Sequence, residues 1–311
     1  MKRFFFILLW ALPLCPALFL PGCNSFSQSY EERGDRYFRD GHYDDSLAEY
    51  LMARKTQGMT TRLLRKIGKV YVMKEDFLQA KSYYDRYFGA TDAEPDPGVL
   101  LDYFQIAVKR GEAGDVGTMV QALEEILQID PSYSLGRYFF DLGEFYFQQS
   151  NFSKAIFYFL RGLPLEVEVE NKDLYLFHLA QSYEKIEDYF NAYLYFDQLL
   201  VLYPESSMKE QATWHRGNCC FPLARQAHEA EDYEQALFYL DLIINEGQPQ
   251  HYLDDAYFLK GEILLALNRP GEAKVSYLQV LKLNRYYYQE KIAEQARARV
   301  HEIELRTRIS P

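Results

Sequence analysis

From Ser27 onward, stretches of helically spaced apolar residues alternate with short polar turns, and the stretches recur at a beat of about 34 residues. Gly34 and Tyr37 return as Gly68 and Tyr71, then with slippage as Gly143 and Tyr146, and as Ala180 and Tyr183. Each pair is followed by an aromatic, a small residue and a large apolar one. The first unit has Tyr43, Ser46 and Tyr50, the second Phe77, Ala80 and Tyr84, the fourth Phe152, Ala155 and Phe159, the fifth Tyr189, Ala192 and Phe196. A turn at Asp40-Gly41-His42 separates two helices within the first unit, glycine being free to take positive φ. The small residues then fall where antiparallel helices cross, because a bulky side chain there would force the axes apart. Seven such units begin near Ser27, Thr61, Leu100, Gly136, Asp173, Gly217 and Asp254.

The pattern G-x-x-Y, aromatic, small, aromatic resembles the tetratricopeptide repeat, and Pro131 and Pro204 occupy the repeat's terminal proline position. The resemblance implies an all-α fold, a right-handed α-solenoid of about seven helix pairs ending in a capping helix over 288–311. It also implies a surface that binds other proteins. Two units depart from the pattern. In the third, Met119 replaces the small crossing residue. In the sixth, Ala224 rather than Gly217 is in register, which predicts a lengthened first helix beginning near Gln211 and containing Pro222. The stretch Gly89 to Val99 carries two prolines and three acids and predicts a break in the array, with a linker at 95–99 between units 1–2 (within 23–94) and units 3–7 (100–287).

The N-terminus changes the expected setting. Lys2 and Arg3 precede an apolar run from Phe4 to Leu20, interrupted by Pro13 and Pro16, which reads as a secretion signal over 1–22. The run ends Leu20-Pro21-Gly22-Cys23, which resembles a bacterial lipoprotein cleavage site with Cys23 as the lipidated residue. An ordinary cleaved signal and an uncleaved anchor are the alternatives. Asn24 after the cysteine implies the outer membrane by the sorting rule of the resembling enterobacterial lipoproteins. The whole chain has a formal charge of −11, and losing the signal takes it to roughly −13, so nucleic acid is discounted as a partner. Cys219 and Cys220 are neighbours on a helix, cannot readily pair, and read as small apolar filler.

Candidate chemistry is sparse. The sequence contains no HExxH, no phosphate-cradling glycine loop and no G-x-S-x-G, so neither catalysis nor a cofactor is expected. His215 and Cys219, at i and i+4, could share a metal but lack further ligands, and no metal site is expected. By the resemblance, the first helices of successive units line a concave groove. Its position reads Glu31, Arg65, Phe104, Phe140, Phe177, Phe221 and Phe258, with Phe147 and Leu265 adding to the apolar face. This row is either a partner-binding groove or packing between repeats. In the second unit, Arg62, Arg65 and Lys69 share a face. They resemble a carboxylate-gripping site without its usual asparagines, or else pair with Glu31 or Asp35. The leading expectation is a non-catalytic, lipid-anchored scaffold holding envelope proteins, of the type that supports outer-membrane barrel or pilus secretin assembly. A transport-accessory protein binding a small ligand, a subunit positioning an enzyme and a surface-exposed adhesin are the alternatives.

Overall fold

The computed structural model describes residues 28–90, 96–164, 171–287 and 290–309. The signal segment and Cys23 lie outside them. The described residues form helices and no strand, in two compact units, Met1–Pro131 and Ser132–Pro311. None of these helices is long and apolar enough to cross a membrane.

The first unit contains three antiparallel pairs. They are α1 (Tyr30–Arg39) with α2 (Tyr43–Gln57), α3 (Thr61–Met73) with α4 (Phe77–Phe88), and α5 (Pro97–Glu112) with α6 (Val116–Ile129). The second contains α7 (Tyr138–Gln148) with α8 (Phe152–Gly162), α9 (Lys172–Lys185) with α10 (Tyr189–Leu202), α11 (Lys209–Glu229) with α12 (Tyr233–Glu246), and α13 (Leu253–Ala266) with α14 (Pro270–Tyr287). A last helix, α15 (Glu290–Ile309), packs on α14. These are the seven pairs and the cap that the 34-residue beat predicts.

One packing rule recurs in both units. The small residue of each first helix faces the large residue sixteen positions later on its partner. A Cβ added at Gly34 would lie 2.5 Å from Tyr50 Cε1, at Gly143 2.5 Å from Phe159 Cδ1, and at Gly261 2.6 Å from Tyr277 Cε1. Tyr84 sits over Gly68 in the same way. The rings are buried to 2% exposure or less, so the glycine is a slot that lets helix axes approach around an aromatic. Between the helices, Gly41 takes φ +79° in the turn the sequence predicts. Aspartates or an asparagine cap most second helices: Asp76, Asp115, Asn151, Asp188 and Asp232 each accept a backbone N–H from the third helical residue.

Both irregular units have a local cause. Met119 is buried against Gly111, one turn after Ala107, where a Cβ added to the glycine would collide with the methionine sulfur. The sixth first helix is lengthened as expected, running Lys209–Glu229 through Pro222. Ala224 packs with Ala236 and Leu240, which fixes the register. Gly217 has another use: an added Cβ would meet Pro249 Cδ at 2.6 Å, so the loop before α13 lies directly on the helix backbone.

Residues 91–95 of the proline-rich stretch lie outside the described residues. Pro97 stands at the start of α5 and Asp96 caps it, accepting from Gly98 N at 2.8 Å, so 97–99 belong to a helix. The division into compact units falls after Pro131. Ion pairs from α3 and a Tyr103–Asp85 hydrogen bond of 2.7 Å hold α5 to the second pair.

In α13, Asp254 is 2% exposed and neither carboxylate oxygen has a hydrogen-bond partner among the described residues. Burial, with the nearby Asp255 charge, pushes its carboxyl above the ordinary range. A raised folded value means the native state holds a proton that the unfolded chain has lost. This group's contribution therefore falls as pH rises from the unfolded value near 4 through the folded one. Asp254→Asn should leave stability nearly unchanged at pH 3.5 and raise it by about 1 kcal/mol at pH 8, read as paired urea midpoints. A gain at pH 3.5 that vanishes at pH 8 would reverse this account.

Candidate functional site

A cavity of about 490 Å³ lies within the first unit. Its rim comes from α3. Arg62, Arg65, Lys66 and Lys69 fall on one side of that helix because their spacings of 3, 1 and 3 keep them near one face. Its apolar floor is Phe38 of α1, Tyr50 of α2 and Leu101 of α5. Asp35, Gly98 and Asp102 complete the wall.

Four cations there meet four carboxylates. Arg62 bonds Glu31 at 2.8 and 3.0 Å, and Lys66 bridges Glu31 at 2.7 Å and Asp35 at 2.7 Å. Arg65 pairs with Asp96, and Lys69 with Asp102. Burial raises the Glu31 carboxyl, but hydrogen bonds from Lys66 and Gln57, with the Lys66 and Arg62 charges, outweigh it and leave it below its ordinary value. Tyr50 donates to Asp35 at 2.7 Å and Tyr84 to Asp102 at 3.0 Å, and burial pushes both phenols far up.

The sequence thus places Arg62, Arg65 and Lys69 together, and the structure adds Lys66, one helical turn after Arg62. Pairing with Glu31 or Asp35 is the alternative the sequence offers for these cations, and of the three only Arg62 pairs with either, through Glu31. They differ in exposure: Arg62 is 69% exposed, Arg65 49% and Lys69 39%.

The phenylalanine row is not an open face. Phe140 is 1% exposed and stacks on Tyr175 at 4.7 Å, and Phe177 is 3% exposed and packs edge-on to Phe196 at 5.7 Å. The groove expectation is corrected at these two residues, because Tyr175 of α9 covers Phe140 and Phe196 of α10 covers Phe177. Phe221 stacks on Tyr252 at 4.4 Å, and Phe147 on His178 at 4.2 Å. Phe258 and Leu265 pack against a core that includes Ala296 and Ile303 of α15, so the cap fills that end. Phe104 is half-buried.

A polar ladder along the first helices of the second unit escaped sequence reading. His178 Nδ1 lies 2.6 Å from Glu144, and His215 Nδ1 lies 2.7 Å from Glu184. Gln181 meets His215 at 3.2 Å, and Asn218 donates to Glu184 at 2.6 Å. The signal was present: Glu144 and His178, Gln181 and His215, Glu184 and Asn218 are each 34 residues apart. The hydrogen bond to His178 holds the Glu144 carboxyl below its ordinary value despite burial. His215 is thereby occupied. Burial pushes Cys219 far up and Cys220 up to about 12, so both are inert thiols.

Two stretches match family models described as tetratricopeptide repeat, residues 175–206 and residues 254–287. No curated protein matches the chain. Solved structures with some likeness include a tetratricopeptide repeat protein from Parabacteroides merdae, 16% identical over 88% of this chain and 99% of that one, TM-score 0.35. Pseudomonas aeruginosa pilF is 14% identical over 86% and 95%, TM-score 0.32. PilW, described as a type IV pilus biogenesis factor, is 15% identical over 76% and 97%, TM-score 0.30. The chain is thus an all-α protein of repeated helix pairs in which residues 175–206 and 254–287 carry the tetratricopeptide-repeat pattern.

Proposed function

We propose that this protein is a non-catalytic scaffold of the bacterial envelope, lipid-anchored through Cys23 at the outer membrane, that holds a segment of a partner protein. Support in outer-membrane protein or pilus assembly is the role we assign to it. The observation that carries the binding reading is the first-unit cavity, where two half-exposed arginines stand over an apolar floor. Such a site recognises a segment carrying a carboxylate beside an apolar side chain, by a shared charge-assisted hydrogen bond and by burial. The anchoring reading rests on the apolar run from Phe4 to Leu20 and the cysteine that follows it.

The experiment is photo-cross-linking in intact envelopes from a photoreactive residue at Leu101, which is 49% exposed in the cavity. One protein adduct should form, and it should weaken several-fold when Arg62 and Arg65 are both changed to Ala. The same chain with Cys23→Ser should leave the membrane fraction. An adduct unchanged by the arginine substitutions would sink the binding reading, and a Cys23→Ser chain still in the membrane would sink the lipid anchor.

A further inference from the structure

The second helices of the second unit share an unexpected feature on their exposed faces. The sixth residue of each is a large apolar side chain open to solvent: Phe157 on α8, Leu194 on α10, Phe238 on α12 and Val275 on α14. Phe190, one turn before Leu194, and Leu278, one turn after Val275, extend the pattern. All six are between 43% and 58% exposed. In the first unit the same position holds Ala48, Ser82 and Gln121. The contrast shows that the fold does not need an apolar residue there. Four successive repeats nevertheless carry one, each leaving apolar surface in water at a cost.

We infer that this face of the second unit is an interface with a second copy of the same chain. Area supports it. Aromatic side chains bring roughly 150–250 Å² each, so six large side chains about half exposed supply on the order of 500 Å² of apolar surface. A stable interface buries about 800 Å² per partner, and homodimer interfaces are about 65% apolar, which asks for about the same amount.

Charge supports the choice of occupant. With a formal charge of −11, two copies repel over most of their surfaces. Between Tyr189 and Leu202, α10 carries Asp197 as its one charged residue, and Arg216 pairs with it at 2.5 Å. Along α10, two acidic molecules therefore meet with least repulsion. Neither α10 nor α12 contains Lys or Arg, and the cations of the face lie at its two ends, Arg161 of α8 over the Phe157 ring at 5.6 Å and Lys274 beside Val275 on α14.

The test is cysteine cross-linking of the full chain in its own envelope. Leu194→Cys treated with a short bis-maleimide should give a species of twice the protomer's own mass, absent from the parent chain and from Ser82→Cys. Adding Phe238→Asp should reduce that species at least ten-fold. The change is at an exposed position, so helicity by circular dichroism should hold. No doubled species from Leu194→Cys, or an adduct whose added mass belongs to a different protein, would overturn the self-association.

Discussion

Replacing Phe159 by Ala should cost the second unit about 3–5 kcal/mol, the range for emptying a fully buried aromatic site. Its ring is 0% exposed and lies over the backbone of Gly143, where no side chain exists to relax into the space left behind. Tyr175, 6.1 Å away between ring centroids, is already stacked on Phe140 and is not free to swing in. The urea midpoint should fall with little change in slope, because the surface exposed on unfolding is nearly the same. The opposite error, Gly143→Val, should also destabilise, since even a first carbon would stand 2.5 Å from the ring. A midpoint loss worth less than about 1 kcal/mol for Phe159→Ala would mean the slot can collapse, and the sixteen-residue packing rule would lose its energetic meaning.

That rule was largely legible in the sequence. Small residues recur where an aromatic returns sixteen positions later, and helical periodicity suffices to put the two at one crossing. Met119 departs from the pattern because the small residue is missing at its own position. Gly111, which accommodates it, lies on the opposite helix, one turn past the expected slot. Gly217 was out of register for a related reason: its missing side chain makes room for Pro249 in a loop, and loop placement leaves no periodic trace. The phenylalanines show a firmer limit. Periodicity puts Phe140 and Phe177 on one helical face, but only coordinates show Tyr175 of the following pair covering Phe140 and Phe196 of the same pair covering Phe177. The charged partners of the candidate site come from α1 and α5, one repeat on either side of α3. Reading across the 34-residue beat, rather than along each helix, would have paired Glu31 with Lys66 and Lys69 with Asp102.

Those pairs carry the second large effect. Lys69→Ala should destabilise the first unit by about 1–3 kcal/mol, less than the 3–5 kcal/mol of a fully buried pair because water partly screens Lys69. The loss comes from Asp102, which is 7% exposed and would keep only the Tyr84 hydroxyl against its charge. Removing that charge as well should restore part of the loss. Lys69→Met combined with Asp102→Asn should cost less than the sum of the two single changes by more than about 0.5 kcal/mol, the signature of direct coupling. Arg62→Ala should behave otherwise. Arg62 is 69% exposed, and Lys66 and Gln57 still hold Glu31 in its absence, so stability should change by no more than about 0.5 kcal/mol. The cations of one helix face thus divide by burial: Lys69 ties α5 to α3 through Asp102, and Arg62 stays largely in solvent. Equal stability losses for the two single variants would erase that division and remove Arg62 as a selective probe of binding.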